Sequence, residues 1–374
     1  MKFLIVTQVN HVFHEGKYYS YAPYVQEMNI WLKRVDQLVV LAPIEKKGTF
    51  PSALDLAYAH DNITFQPIPE FHASKLSDLL KTIMAFFLIF RKALSSMKEA
   101  DHIHLRCPGN VGLIGCLAQM FFPTKKKTAK YAGNWDWNSN QPFSYRLQQR
   151  ILRNTFLTKN MTALVYGKWP DLTKNTKAFF TATYHKNEAT YYKKVAPQNQ
   201  INLCFVGTLT ENKRPDLTLE VGKRLIEQGH KIHITFCGDG MLSDALKTKT
   251  KELSLEHSVT FLGKVNKQDI KEVFQQAHYL VFLSRSEGWP KAVAEAMFWG
   301  CIPITTKVSC VPQMLGENGD RGFLVEMDRI EKIAVLISNS ASRPGEFLVM
   351  SKNAEQWSRH YTLDLFEEEV TKLL

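Results

Sequence analysis

Two carboxylates, Glu287 and Glu295, stand eight residues apart in the segment 284–303, which also carries Gly288, Pro290, Gly300 and Pro303. The apolar run 279–283 before them has β character, and Pro290 suits the first position of a helix, so the spacing predicts strand, tight loop, helix. Glu287 then lies in the loop and Glu295 about 1.5 turns into the helix, one at the mouth of a crevice and the other along its wall. Carboxylates so placed can accept hydrogen bonds from paired hydroxyls. The first amides of the helix, at Lys291, Ala292 and Val293, lack intrahelical acceptors and sit at the positive end of the helix dipole, an arrangement that suits a phosphate.

Such a site needs strands to hold it. Short β-rich runs alternate with amphipathic helical patterns at 3–6, 38–41, 63–65, 103–105 and 163–166, and the pattern restarts at 203–206, 232–236, 259–262, 279–282 and 302–305. That is the signature of parallel sheets covered on both faces. The chain of 374 residues therefore divides into an N-terminal domain, 1–190, and a second doubly wound domain, 200–352. They meet at the polar, Tyr- and Lys-rich segment 185–200. A tail, 353–374, reads as a pair of helices with an apolar stripe that could pack back across the junction. Ligands of such sheets bind outside the carboxyl ends of the strands, and with two facing domains the expected place is the cleft between them.

Charge separates the two halves. Residues 1–197 hold 26 Lys and Arg against 13 Asp and Glu, whereas 198–374 hold 21 against 23. The basic half calls for an acidic partner, an anionic membrane or phosphorylated lipid, or else serves solubility alone. Nucleic acid is disfavoured, because no basic recognition helix or aromatic-basic motif is present. The stretch 76–98 combines Met84, Phe86, Phe87, Leu88 and Phe90 with Lys81, Arg91, Lys92 and Lys98, and Lys75 precedes it. It reads either as a helix lying in a membrane surface or as one covering the sheet. Lys125 to Lys127 reads as a solvated turn. The six cysteines show no Cys-x-x-Cys spacing and are expected as reduced core thiols. The N-terminus has too short an apolar segment for a signal peptide, and no run approaches the roughly 20 apolar residues of a spanning helix, so a cytoplasmic protein, peripheral at the inner membrane face if bound there, is expected.

In the second half four segments follow in order: Phe205 to Leu209 with Asn212 to Asp216, then Gly238 to Gly240, then Val259 to Gly263, then the two-glutamate block. In order and spacing they resemble the nucleotide-sugar-binding domain of the retaining glycosyltransferase family 4, whose members have the GT-B architecture of two Rossmann-like domains facing across a cleft. The resemblance is specific over about 200–315 and otherwise topological. It implies that Glu287 approaches the hydroxyls of the donor sugar, that Glu295 accepts from the ribose, and that Lys213 neutralises the diphosphate with no metal or further cofactor. It also implies that Gly207, Gly238, Gly263, Val265 and Gly288 border the nucleotide sugar. Arg214 stands where the family commonly has glycine and is either a second cation or outward-pointing. Thr208 replaces an arginine of many relatives. The segment 309–313 replaces a pair of glycines and a glutamate, and the first-domain segment 129–136 has no histidine where many relatives end a strand with one near the reacting carbon.

In the first half, the segment 101–110 resembles a family strand and loop facing the cleft, which makes His104 and Arg106 candidate phosphate or acceptor contacts. The aromatic-rich loop 11–21, with Gly16 and Lys17, is the other acceptor candidate, since sugar rings stack on aromatics. The combined expectation is transfer of a sugar from a nucleoside diphosphate sugar to an acceptor hydroxyl, the acceptor being a saccharide or lipid-linked saccharide of cell-surface polysaccharide synthesis. A non-catalytic nucleotide-sugar-binding protein and an epimerase of the same fold are the alternatives.

Overall fold

Short apolar runs without polar alternation make strands that are buried on both faces, and parallel sheets of such strands carry both halves of the chain. The computed structural model describes residues 1–46, 48–52, 54–69 and 79–374, the side chains of 79–81 excepted. They divide into two compact units, Met1–Phe180 with Phe366–Leu374, and Thr181–Leu365.

In the first unit, strands β1 (Lys2–Val6), β4 (Gln37–Pro43), β6 (Ile63–Ile68), β7 (His102–Cys107), β8 (Lys126–Tyr131), β9 (Met161–Tyr166) and β10 (Thr176–Phe179) form one parallel sheet. Its order is β10-β9-β8-β7-β1-β4-β6, so the winding reverses between β1 and β7. Helices α1 (Ala22–Leu32), α2 (Leu79–Glu99), α3 (Asn110–Ala118) and α4 (Phe143–Arg153) accompany it. Leu4, Val39, Leu105 and Ala129 of the sheet share a core with Ile89, Ala93 and Met97 of α2 and Ile114 of α3. Residues 75–78 of the predicted basic stretch lie outside the described residues.

The segment 11–21, read from sequence as a loop, is instead a hairpin of β2 (His11–His14) and β3 (Lys17–Tyr21), joined by β5 (Asp55–Ala57) into a small antiparallel sheet. Glu15 and Gly16, at φ 46° and 76°, make the two-residue turn whose twist matches that of the flanking strands. A second difference concerns Lys125 to Lys127. Lys126 opens β8, and Lys127 is buried with its ammonium donating to the carbonyls of Phe122 (2.9 Å) and Gln119 (3.3 Å). Burial lowers its pKa to about 8.

The second unit holds β11 (Ile201–Val206), β12 (Ile232–Cys237), β13 (Val259–Gly263), β14 (Tyr279–Phe282), β15 (Ile302–Thr306) and β16 (Phe323–Val325), again all parallel, in the order β13-β12-β11-β14-β15-β16. This is the dinucleotide-fold order 3-2-1-4-5-6, whose crevice opens between the first and fourth strands, here β11 and β14. Helices α5 (Pro215–Glu227), α6 (Ser243–Glu252), α7 (Lys267–Gln276), α8 (Lys291–Phe298), α9 (Val311–Leu315), α10 (Ile330–Ala341) and α11 (Pro344–Ser358) complete it. The tail ends in α12 (Leu363–Thr371), which belongs to the first unit from Phe366 onward.

Candidate functional site

The loops that leave β11 and β14 flank the reversal point of the second sheet, and they carry Lys213 and Glu287. The Lys213 ammonium lies 2.8 Å from Glu287 Oε1 and 4.7 Å above the ring of Phe282, the last residue of β14. Residues 74 positions apart are thus joined because parallel neighbours deliver both loops to one edge of the sheet. Both side chains are half-buried.

Two positioning residues that motif reasoning did not single out hold this pair. Ser284 is fully buried at the start of the β14 loop, and its hydroxyl lies 2.7 Å from Glu287 Oε1. Asn212 accepts the Arg285 N–H on its carbonyl (2.8 Å) and donates its side-chain amide to the Ser286 carbonyl (2.9 Å), which laces the two loops together. A polar residue just after an apolar strand and another just before the lysine were the only sequence signals, and both are common in turns.

The glycines at the strand ends serve backbone approach. Gly207 and Gly238 have φ of 150° and 134°, and a Cβ on Gly238 would fall inside the van der Waals radius of the Gly207 carbonyl. Gly207 N–H donates to Cys237 O (2.9 Å) and Gly238 N–H to Gly263 O (2.7 Å), so β11, β12 and β13 end in one continuous set of bonds. Val265 follows this edge, half-buried. Asp239 accepts from Gly240 N and from the Ser243 hydroxyl, which lower its pKa and close the turn.

Arg214 does not join Lys213. Its guanidinium forms a two-pronged pair with Asp216, with Nε to Oδ1 at 3.0 Å and Nη2 to Oδ2 at 2.9 Å. The residue caps α5 at φ 46°, a left-handed conformation that a side chain adopts at a cost of roughly 1–2 kcal/mol. Arg214, Asp216, Lys249 and Arg285 line a cavity of about 240 Å³ of their own.

Helix α8 begins at Lys291 with Pro290 as its cap, one residue later than the sequence suggests. The Val293 N–H donates to Pro290 O at 3.0 Å, which takes it out of the set of amides expected to meet a phosphate. The Val293 side chain is in the core. Lys291 lines a small cavity with Glu295, Thr183 and Tyr184. There the Thr183 hydroxyl donates to Glu295 Oε1 at 2.6 Å, and withdrawal from water raises the pKa of Glu295. Gly288, beside Glu287, accepts on its carbonyl from the Ser309 hydroxyl (2.8 Å). Ser309 sits at φ 47°, so the backbone shape natural to glycine persists at this position, held by the serine side chain.

In the first unit, His104 is a core residue rather than an acceptor contact. It is fully buried on β7, its Nδ1 2.8 Å from the Thr128 hydroxyl and its ring beside Phe3 and Trp31. β7 is buried on both faces here, while Arg106, two residues on along the same face, lies at the carboxyl end of β7 near the reversal point. Arg106 approaches Glu27 Oε2 at 3.5 Å, and Lys130 reaches the same oxygen at 2.7 Å with both its ammonium and Glu27 buried. Gly16 and Lys17 occupy the exposed tip of the β2–β3 hairpin. Among the described residues, no three His, Cys, Asp or Glu side chains converge as they would around a metal ion. The six cysteines are buried and unpaired.

Residues 187–357 match the family described as Glycosyl transferases group 1. An uncharacterized glycosyltransferase of Haemophilus influenzae is 29% identical over 178 residues, 47% of this chain and 49% of that protein. The Campylobacter jejuni protein named GalNAc-alpha-(1->4)-GalNAc-alpha-(1->3)-diNAcBac-PP-undecaprenol alpha-1,4-N-acetyl-D-galactosaminyltransferase is 25% identical over 207 residues, 54% of this chain and 55% of its own. The chain spans about half the length of these curated relatives. Among solved structures, Anabaena HepE in complex with UDP and glucose has a TM-score of 0.68 at 14% identity, covering 100% of this chain and 98% of its own. The lipopolysaccharide outer core galactosyltransferase WaaB, in its apo form, has a TM-score of 0.69 at 14% identity, covering 100% and 99%. These likenesses show the GT-B fold, and with the family match they support a glycosyltransferase.

Proposed function

We propose that this GT-B protein is a glycosyltransferase, retaining and family 4-like, that moves a hexose-type unit from a nucleoside diphosphate sugar to the hydroxyl of a saccharide or lipid-linked saccharide. The observation that carries the reading is the Lys213–Glu287 pair at the reversal point of the second sheet, held by Ser284 and Asn212. An ammonium beside a diphosphate stabilises the charge that builds as the glycosidic C–O bond breaks, and its gain is largest where that charge is greatest. Before donor arrives, Glu287 keeps the ammonium in place; on binding, sugar hydroxyls become donors to the same carboxylate. Glu295, withdrawn from water and accepting from Thr183, would exchange that hydroxyl for those of the ribose.

With no nucleophile assigned, the reaction is proposed as a front-face attack. The acceptor oxygen bonds to the anomeric carbon on the side the diphosphate leaves, and a departing phosphate oxygen takes the acceptor proton. The undecaprenol-linked substrate named for the Campylobacter relative favours a lipid-linked acceptor here. Lys213 supplies the countercharge, so turnover is proposed to be metal-independent. The test is a transfer assay with lipid-linked acceptor in detergent, the anomeric configuration of the product read by proton NMR and the reaction repeated with EDTA. Retained configuration and unchanged turnover in EDTA fit the proposal, whereas an inverted product overturns it.

A further inference from the structure

Helix α2 packs one face on the sheet of the first unit, through Ile89, Ala93 and Met97, and leaves the other uncovered. At about 100° per residue, the uncovered positions fall within one arc: Ile83, Met84, Phe87 and Leu88, then Arg91, Ser95 and Lys98. The first four are large, apolar and exposed by 43%, 73%, 63% and 46%. A fifth exposed apolar side chain, Phe121 (67%), ends the short 3-10 turn Gln119–Phe121, its ring 6.1 Å from that of Phe90 of α2. Apolar groups gathered on one face of a soluble unit mark an interaction surface.

What surrounds the patch identifies its partner. Arg91 and Lys98 share the outward arc and form no salt bridge among the described residues, while the acid at the helix end, Glu99, is taken by Lys2 (2.7 Å). Lys125 and Lys126 follow Phe121 after a short turn. Apolar side chains rimmed by cations fit a surface that is apolar beneath and anionic on top, since rings can enter the acyl boundary while guanidinium and ammonium groups stay at the phosphates.

We infer that the exposed face of α2, with Phe121, docks on an anionic lipid bilayer. No helix among the described residues is long and apolar enough to cross a membrane, so the contact is one of lying on the surface. The inference deepens the proposed function only in placing the enzyme where a lipid-linked acceptor resides; the docking is measured without donor or acceptor.

The test is co-sedimentation of the full chain with vesicles of phosphatidylcholine alone or with one-third phosphatidylglycerol, at about 0.1 M and about 1 M salt, where the screening length falls from about 10 Å to 3 Å. Binding to the anionic vesicles is expected at low salt, at least tenfold weaker on neutral vesicles or at high salt. Phe87→Ser with Phe121→Ser should weaken it at least tenfold, and Arg91→Glu with Lys98→Glu should abolish the preference for anionic lipid. Unfolding temperature and nucleotide-induced stabilisation should be unchanged in both variants, which separates this failure from failure of the donor site. Wild-type binding that ignores lipid charge, or variants that bind as wild type does, overturns the inference. So does a vesicle-indifferent dimer that Phe87→Ser dissociates, because the occupant would then be a second copy of the chain.

Discussion

Replacing Lys213 by methionine removes the charge and keeps a stem of similar length over Phe282, so the variant isolates what the ammonium contributes. At 2.8 Å from Glu287 Oε1, and at an effective dielectric of about 20, the pair attracts by about 6 kcal/mol before the cost of withdrawing both groups from water. Desolvation offsets most of that, leaving a net of about 1 kcal/mol for a half-buried pair. Lys213→Met should therefore lower the unfolding temperature of the second unit by only about 2–4 °C, because about 1 kcal/mol moves a unit of about 185 residues by that much. Its effect on transfer should be far larger. Loss of one donor aimed at charge developing in a transition state costs about 100- to 1000-fold in turnover. Glu287→Gln, which retains an acceptor for Ser284, should also impair transfer, and the double variant should fall short of the product of the two losses because the residues act as one unit. The assay is initial-rate release of nucleoside diphosphate at 25 °C, with folded fraction checked by circular dichroism. Turnover of Lys213→Met within threefold of wild type would refute the argument and leave the pair a structural ion bridge.

Glu295→Gln tests the raised pKa of that carboxylate. Between the ordinary value of 4.5 and the raised one, the folded protein holds a proton that the unfolded chain releases, so wild-type stability falls as pH rises through this window. The variant should gain on wild type across it and keep the advantage above it, read by thermal unfolding from pH 4 to 8. Buried His11 and His102, lowered from 6.5 to about 4 by burial, act in the other sense. The unfolded chain takes up protons between pH 6.5 and about 4 that the folded one refuses, so stability present above 6.5 is lost as pH falls, by roughly 3 kcal/mol for each histidine. Urea titrations at pH 7 and pH 4.5 should show this loss, reduced in His102→Gln. Gly238→Ala should disrupt the strand ends at the proposed donor site, since its methyl would overlap the Gly207 carbonyl, and should cost at least about 3 kcal/mol by denaturant titration.

The strands were legible because they rest on local signals, and the resemblance set Lys213 and Glu287 at one site, although their ion pair was not foreseen. Apolar runs such as Phe3 to Val6 and Tyr279 to Phe282 specify buried strands by themselves, and the two charged residues follow strands that a doubly wound sheet makes neighbours. What escaped depends on side-chain direction and distant partners. Lys127 looks like a turn residue until β8 turns it inward toward two carbonyls, and His104 could be a cleft contact or a packed residue until Thr128 and Trp31 are seen to enclose it. Ser284 and Asn212 carry no pattern of their own; Asn212 acts through bonds to residues more than 70 positions away, and Ser284 through the Glu287 carboxylate that the loop folds back onto it. Arg214 was ambiguous because its partner, Asp216, is two residues on, and only the left-handed backbone at φ 46° aims it there.

The most direct test of the account is thermal unfolding of the chain with UDP-, GDP-, ADP- and dTDP-sugars, in wild type and in the double variant Lys213→Met with Glu287→Gln. A ligand at about 100 times its dissociation constant stabilises the native state by about 2.7 kcal/mol. The account predicts that at least one donor raises the unfolding temperature of the wild type by several degrees and that the double variant loses most of that rise. No shift with any donor, or the same shift in both proteins, would contradict a nucleotide-sugar site built on Lys213 and Glu287.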